Sequence, residues 1–212
     1  MKEYYAAQLS LFHKRRVLKV INLFPDENKK LVVGIIGSAR LTQEDLRWEQ
    51  ASELGRALAA QGHVVMTGGY GGLMAASAQG ATDEGGLTIG LPMSKWTHLV
   101  PHEAHTQLLW SENYFERLQQ LLSADYLVVL DGGIGTLSEL ALAWAIGQTE
   151  ETYTKVIIMG EGIKRMINNF QGSLVISESD LEVIKIVDSV EALIAHISAS
   201  GGSNHALGGA LG

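Results

Sequence analysis

Short runs of apolar residues alternate along the chain with longer stretches in which apolar and polar positions follow helical spacing. The apolar runs fall at 31–37, 63–67, 87–91, 106–110, 126–130 and 155–160. Such short runs, most of them rich in Val, Ile and Leu, are typical of strands buried on both faces of a parallel sheet. The longer stretches predict helices at 45–62, 73–85, 111–124, 136–148 and 189–198. This alternation predicts an α/β fold: a single doubly wound domain whose mostly parallel sheet carries helices on both faces.

The stretch 111–124 carries the clearest local helix signals. Ser111 stands where an N-cap is expected. Phe115, Leu118, Leu121 and Leu122 recur at helical spacing. We therefore expect a helix that begins at Ser111 and turns this apolar stripe toward the core.

Both ends of the chain differ from the body. Residues 1–30 have mixed apolar spacing that leans helical before a Pro-Asp break, which predicts an N-terminal helical extension. Its basic cluster at 13–16 is interpreted as a solvated face rather than a polyanion site. The Gly- and Ser-rich segment 198–212 predicts a flexible tail. The expected nucleotide-binding domain is thus 31–197.

Composition narrows the function classes. The formal net charge is −7, so no broad basic surface is expected for DNA, RNA or an anionic membrane. The chain has no cysteine, which excludes disulfides and cysteine-ligated metal sites and is compatible with a reducing compartment. No apolar run approaches the ~20 residues of a membrane helix, and the N-terminus lacks the pattern of a signal peptide. We expect a cytoplasmic protein that binds neither nucleic acid nor membranes.

Glycine-rich turns follow three of the predicted strands. They are LDGGIGT at 130–136, TGGYGGLM at 67–74 and GSAR at 37–40. A strand that ends in glycines and opens a helix presents free backbone N–H groups and the positive end of the helix dipole. Glycines also let the main chain approach an anion closely. Three such turns at one sheet edge predict a crevice for a nucleotide or another phosphorylated small molecule.

Two common phosphate-binding motifs are absent. A Walker A loop requires Gly-Lys-Ser/Thr, and no glycine turn here contains lysine. The dinucleotide fingerprint requires G-x-G-x-x-G after the first strand, whereas this chain has GIIGSARL. ATP hydrolysis and ordinary NAD binding are therefore disfavoured.

Two longer segments carry a family resemblance. TGGYGGLMAASAQGA, together with ERLQQLLSADYLVVLDGGIGTLSELALAW, resembles the LONELY GUY (LOG) family, long labelled "possible lysine decarboxylase". The resemblance implies a Rossmann-like fold and a homodimer or a multiple of dimers. No cofactor is expected, since the old label would imply pyridoxal phosphate and no lysine has a convincing setting for it. It implies a phosphoribohydrolase that cleaves AMP or a cytokinin nucleotide to free base and ribose 5-phosphate. Related molybdenum-cofactor carriers bind without this catalysis, so a non-catalytic carrier is the alternative.

The same resemblance assigns roles to individual residues. Glu139 matches the family's catalytic carboxylate and Arg117 its catalytic arginine, expected to clamp the phosphate or the ribose hydroxyls. The expected phosphate- and nucleotide-binding residues are Gly132, Gly133, Gly135, Thr136, Gly68, Gly69, Gly72, Met74, Gly37, Ser38 and Arg40. The departures from the family pattern are Asp131 in place of proline, Ala75 in place of glutamate, Tyr70 in place of a third glycine and Leu118 in place of lysine.

Several assignments have competing interpretations. Thr136 and Glu139 have the spacing of a capping box, in which Thr136 is the N-cap and Glu139 serves only the helix end. Asp131 would repel a phosphate unless it is protonated, turned away or bound to a cation, or it could join Glu116 as a candidate acid for the leaving group.

Aromatic and histidine side chains are also ambiguous. We expect no metal site: His98, His102 and His105 suggest a mobile loop over the crevice, since they stand in a proline-containing loop and not as a ligand pair on a helix. Tyr70, Trp96 and Trp110 could stack on a base, although core or subunit contacts are the commoner role of such residues.

Overall fold

A computed structural model describes residues 31–150, 153–170 and 173–201. The expected N-terminal extension, residues 1–30, lies outside the described residues, as does most of the expected tail. Within the described part, no helix is long and apolar enough to cross a membrane.

Seven parallel strands form one sheet in the order β4-β3-β2-β1-β5-β6-β7. The strands are β1 Val32–Ile36, β2 Val64–Thr67, β3 Thr88–Gly90, β4 Gln107–Leu108, β5 Tyr126–Val129, β6 Lys155–Ile158 and β7 Ile184–Ile186. Strand β1 pairs with β2 and β5, and Ile35 stands opposite both Thr67 and Val128. The carboxyl ends of these three central strands are therefore level.

Helices connect the strands and cover the sheet. In the described residues they are α1 Leu46–Ala60, α2 Leu73–Asp83, α3 Tyr114–Leu121, α4 Ile134–Thr149, α5 Glu161–Phe170, α6 Glu178–Leu181 and α7 Val190–Gly201. Helices α1 to α6 lie in connections between parallel strands, and α7 follows the last strand, β7.

Two apolar clusters lie on opposite faces of the sheet. On β1, Val33 and Ile35 belong to one cluster with side chains of α1, α2 and α7. Val32 and Ile36 belong to the other, with side chains of α3, α4 and α5. Alternate residues of a strand point to opposite faces, so a strand that is apolar at every position supports two layers of helices. The predicted doubly wound α/β fold is confirmed, with a sheet that is fully parallel.

Some sequence-based boundaries and elements were wrong. Asn113, not Ser111, is the N-cap of α3, and its side chain accepts a hydrogen bond from the Glu116 N–H at 3.0 Å. Phe115 is 77% exposed, whereas Leu118 and Leu121 of the same predicted stripe are buried. Helix α3 is short, and only part of its surface meets the sheet.

The carboxyl-terminal third contains elements that the pattern did not reveal. Helices α5 and α6 and strand β7 were not predicted from the sequence. Strand β7 is only three residues long and lies at the edge of the sheet, so its apolar pattern is weak. Helix α7 continues to Gly201, so 198–201 are helical rather than part of a tail.

Candidate active site

Three loops meet at the carboxyl edge of the central strands. The Ser38 N–H donates to the Asp131 carbonyl at 2.9 Å, which joins the β1 and β5 loops. The Leu73 N–H donates to the Ser38 carbonyl at 2.8 Å, which joins the β1 loop to the start of α2. Gly37 packs between Leu73 and Leu130. Strands β2 and β5 lie on opposite sides of β1, so the strand order reverses at β1. These loops therefore border the crevice where doubly wound sheets bind ligands.

The turn after β2 depends on glycine at position 72. Gly72 has φ of +68°, and a Cβ there would overlap the Ser38 carbonyl oxygen. Only glycine combines this left-handed backbone with so close an approach. Gly69 is also left-handed, with φ of +89°, and its N–H donates to the Thr67 hydroxyl at 3.0 Å. The turn is thus a rigid connection to α2.

The turn after β5 is open toward solvent. Gly132, Gly133 and Gly135 are exposed, and nothing lies within 4 Å of a Cβ built at Gly133 or Gly135. Gly133 is the N-cap of α4 and offers no side-chain hydrogen bond. The first N–H groups of a helix lack intrahelical partners, so this end has donors to offer an anion.

The predicted capping box at Thr136 and Glu139 does not form. Helix α4 begins at Ile134, which places Thr136 inside its first turn rather than at the N-cap. The Thr136 side chain is buried against Gly132. Glu139 is therefore free of any capping duty and turns toward α3.

A buried ion pair joins α3 to α4. Arg117 Nη1 lies 2.7 Å from Glu139 Oε1, and the two side chains are 7% and 9% exposed. Arg117 Nε also donates to the Leu91 carbonyl at 2.9 Å. Both hydrogen bonds involve the charged guanidinium, which makes them strong. The two residues that the family resemblance selected as catalytic thus contact each other directly.

The guanidinium of Arg117 rests on the turn after β2. A Cβ at Gly68 would overlap Arg117 Nη2, and it would lie 2.7 Å from the Met74 sulfur. Gly68 therefore makes room for the guanidinium, and Met74 lies beside it. This contact brings the β2 turn, α3 and α4 together around the ion pair. The carboxyl end of β3 joins them through the Leu91 carbonyl, a participant that the sequence analysis missed although it follows directly from the strand-end rule.

Asp131 points away from the glycine turn. Its Oδ1 accepts hydrogen bonds from the backbone N–H groups of Gly162 at 2.7 Å and Ile163 at 3.2 Å, in the first turn of α5. Its Oδ2 lies 3.4 Å from Arg47 Nη1. A carboxylate at a helix N-terminus is stabilised by the free N–H groups and the dipole. Of the alternatives for Asp131, the turned-away carboxylate is the one observed.

The loop between β3 and β4 borders the ion pair. Trp96 lies over the Arg117 guanidinium, with 5.6 Å from Cζ to the ring centroid. Tyr70 is buried and packs against Trp96 at 5.8 Å between ring centroids. The Tyr70 hydroxyl accepts a hydrogen bond from the Met93 N–H at 2.9 Å. Trp110 is 47% exposed and stacks on no aromatic ring of residues 31–150, 153–170 or 173–200.

His105 anchors this loop to the β2 turn. His105 Nε2 lies 2.7 Å from the Thr67 hydroxyl, and Nδ1 lies 2.9 Å from the His102 carbonyl. Burial lowers the pKa of His105, so the neutral ring is favoured, with Nδ1–H as donor and Nε2 as acceptor. Among the described residues, no three His, Asp or Glu side chains are grouped so that they could hold a metal ion.

Two predicted ligand residues lie at the rim. Ser38 contributes main-chain bonds to both neighbouring loops, and its hydroxyl accepts from the Arg40 N–H at 3.1 Å. Arg40 is exposed and does not join the ion pair. The structure thus gathers Gly68, Met74, Arg117 and Glu139 in one cluster, with the open glycines at the start of α4 beside it.

Residues 30–193 match the SLOG cluster4 family. The chain belongs to the SLOG cluster4 family. The match covers all three glycine turns and both members of the ion pair.

Relatives of this SLOG cluster4 chain include a named enzyme. A cytokinin riboside 5'-monophosphate phosphoribohydrolase of Mycobacterium tuberculosis is 33% identical over 153 residues, covering 68% of this chain and 81% of the relative. The resemblance to LOG proteins noted from the motifs is therefore confirmed.

Solved structures extend the likeness to cofactor-binding proteins. The molybdenum cofactor binding protein of Rippkaea orientalis has a TM-score of 0.65 and 28% identity, covering 81% of this chain and 98% of that one. The molybdenum cofactor carrier protein of Chlamydomonas reinhardtii has a TM-score of 0.62 and 21% identity, covering 82% and 100%. The second likeness shows the fold alone.

Proposed function

We propose that this protein is a nucleoside 5'-monophosphate phosphoribohydrolase, which cleaves the base–ribose bond of AMP or an N-substituted AMP. One observation carries the proposal: a buried Arg117–Glu139 ion pair lies beside an open glycine turn that begins α4. Two buried charges are costly to keep in a fold. Their position at the ligand-binding edge of the sheet favours a functional over a purely structural role.

The residue types suit this reaction. Breaking an N-glycosidic bond develops positive charge on the ribose, and the Glu139 carboxylate stabilises that charge and orients the attacking water. The water oxygen bonds to the anomeric carbon as the C–N bond breaks, and the proton that the water loses ends on the departing base. The phosphate is held by backbone N–H groups at Gly133 and Gly135, away from the scissile bond. Binding energy from the phosphate positions the sugar for reaction.

Arg117 is best described as a residue that positions Glu139. Two of its hydrogen bonds are committed to Glu139 and to the Leu91 carbonyl, and only 5% of the residue is exposed. The guanidinium has further N–H groups, and these remain suitable for a ribose hydroxyl or phosphate oxygen that enters from the crevice. The proposed role thus combines orientation of the carboxylate with a share in ligand contact.

Asp131 has no direct part in the proposed reaction. Its carboxylate binds the first turn of α5, so it neither occupies the phosphate position nor offers a proton to a leaving base. The replacement of proline at this position is therefore compatible with turnover.

The phosphoribohydrolase relative at 33% identity supports the proposal. A second candidate, a non-catalytic carrier that uses the same crevice, is favoured by the match to the Rippkaea orientalis protein, which extends over 98% of that chain at 28% identity. The two functions differ in one observable: an enzyme releases free base, whereas a carrier retains its ligand intact.

We further propose that the protein assembles as a homodimer or a multiple of dimers. Phe115 on α3 and Ile134 on α4 are 77% and 81% exposed, and Leu142 is partly exposed on α4. Exposed apolar side chains on adjacent helices favour a subunit contact. Light scattering after gel filtration, with Phe115→Asp as the disrupting variant, measures this directly, and a monomeric wild-type protein would contradict it.

The function is tested by incubating the protein with AMP and isopentenyl-AMP and separating the products by chromatography. Wild-type protein is expected to release free base and ribose 5-phosphate, and Glu139→Ala is expected to release none. Glu139→Gln is the matched variant, because it keeps a partner for Arg117 while removing the charge. If the wild type binds AMP but releases no base, the carrier is the better description.

A further inference from the structure

Among the residues that the structure describes, Trp96 is the aromatic side chain that is both partly exposed and in contact with the ion pair. It is half-buried, whereas its neighbours in the segment 94–100 are exposed. The indole covers the Arg117 guanidinium, while Tyr70 supports it from the β2 turn. A large apolar ring thus lies at the mouth of the site rather than in the core.

The segment that carries Trp96 is held at both ends. On one side, the Ser94 N–H donates to the Ser111 carbonyl at 3.0 Å, and the Met93 N–H donates to the Tyr70 hydroxyl. On the other, the His102 N–H donates to the Gly69 carbonyl at 2.9 Å. Trp96 itself is in a turn, since the Leu99 N–H donates to its carbonyl at 2.9 Å. These anchors hold the indole at a defined position over the crevice.

We infer that Trp96 determines specificity by contacting the planar heterocycle of a ligand whose phosphate occupies the glycine turn of α4. Indole is the side chain best suited to cover both a guanidinium and a flat ring. Glu139 Oε1 is hydrogen-bonded to Nη1 of the same guanidinium, so a heterocycle held against Trp96 would place its attached sugar near the carboxylate.

The ligand class follows from what the site offers. The backbone N–H groups at the start of α4 suit an anion, and the Trp96 indole offers an apolar surface. A ligand that fits both carries a phosphate and a planar ring. A purine nucleotide and a pterin phosphate share this chemistry. The inference rests on the proposed function for the choice of purine, and its test separates the two sources.

The test compares three ligands by isothermal titration: AMP, a pterin monophosphate and ribose 5-phosphate, which has no planar ring. All Trp variants are made in the Glu139→Gln background, so that AMP is not cleaved during the measurement. Trp96→Leu is expected to weaken AMP by about tenfold, the usual scale of base–aromatic stacking, and to leave ribose 5-phosphate within about twofold. Trp96→Phe keeps a smaller aromatic ring, so its affinity for AMP should lie between those of Trp96 and Trp96→Leu. Trp110→Leu is the matched control, since it removes an exposed tryptophan elsewhere on the chain, and thermal unfolding verifies that each variant is folded.

The possible outcomes separate the inference about Trp96 from the proposed function. Equal weakening of AMP and ribose 5-phosphate by Trp96→Leu overturns the inference, since the indole would then act only by holding Arg117. Unchanged AMP affinity overturns it as well, while base release by the wild type would leave the proposed function intact. Loss confined to the pterin phosphate supports contact with a planar ring but identifies the carrier as its source. A wild-type protein that binds none of the three ligands overturns both proposals.

Discussion

Removing Arg117 while keeping Glu139 is the most direct test of the site's energetics. In Arg117→Met the side-chain volume is approximately retained, but the Glu139 carboxylate loses its partner at 2.7 Å. Its side chain is only 9% exposed, so little water can replace the guanidinium. An uncompensated buried charge of this kind typically costs about 3–5 kcal/mol of folding free energy. For a chain of this size the corresponding fall in Tm is roughly 10 °C.

The size of this loss in folding free energy distinguishes a buried ion pair from a surface ion pair. Exposed ion pairs contribute about 0–1 kcal/mol, because water and salt screen them. Arg56→Met is the matched control, since Arg56 is exposed on α1 and its replacement should change stability by less than about 0.5 kcal/mol. Urea denaturation of both variants and the wild type gives the comparison directly.

A double-mutant cycle isolates the interaction itself. Glu139→Leu alone leaves the guanidinium with the Leu91 carbonyl. The double variant Arg117→Met/Glu139→Leu removes both charges, and apolar replacements of a buried pair are often neutral or stabilising. We therefore expect the double variant to recover most of the stability lost in Arg117→Met. A loss below about 1 kcal/mol in Arg117→Met, or no recovery in the double variant, would refute the description of this pair as buried and coupled.

Three further predictions concern the surroundings of the ion pair. Asp131→Ala should lower the unfolding free energy by about 1 kcal/mol through loss of the α5 cap, with AMP affinity retained; a loss of binding at unchanged stability would place Asp131 in the site instead. Gly133→Asp should abolish AMP binding in calorimetry, because its carboxylate would cover the free N–H groups. Stability should be kept, since φ is −102° and the Cβ meets open space; unchanged affinity would remove the phosphate-binding interpretation. Burial lowers the pKa of His105, so its neutral form stabilises the fold above about pH 6.5 and this stability is lost as the pH falls. His105→Gln should flatten that part of the pH dependence of urea denaturation, and an identical slope would contradict the assignment.

The sequence by itself determined the fold class and the positions of the glycine turns. Strand composition and helix periodicity are local properties, and the core strands such as β1 and β5 are apolar at every position because both of their faces are covered. The glycines at 68–72 and 132–135 follow strand ends, so their place at the carboxyl edge follows from a parallel sheet alone. Short edge elements such as β7 gave too weak a signal, because an edge strand needs little apolar alternation to pair.

Only the tertiary structure decided what the polar side chains do. Glu139 has the spacing of a capping residue, yet it contacts Arg117 on another helix, 22 positions earlier in the chain. Asp131 follows a buried strand beside a phosphate turn, yet its carboxylate binds α5, which begins 30 positions later and was not predicted. Trp96 reaches Arg117 only because its loop is anchored at both ends. A side chain's partner depends on which elements the fold places beside it. The spacing of residues within one short segment does not specify contacts with segments far away in the sequence.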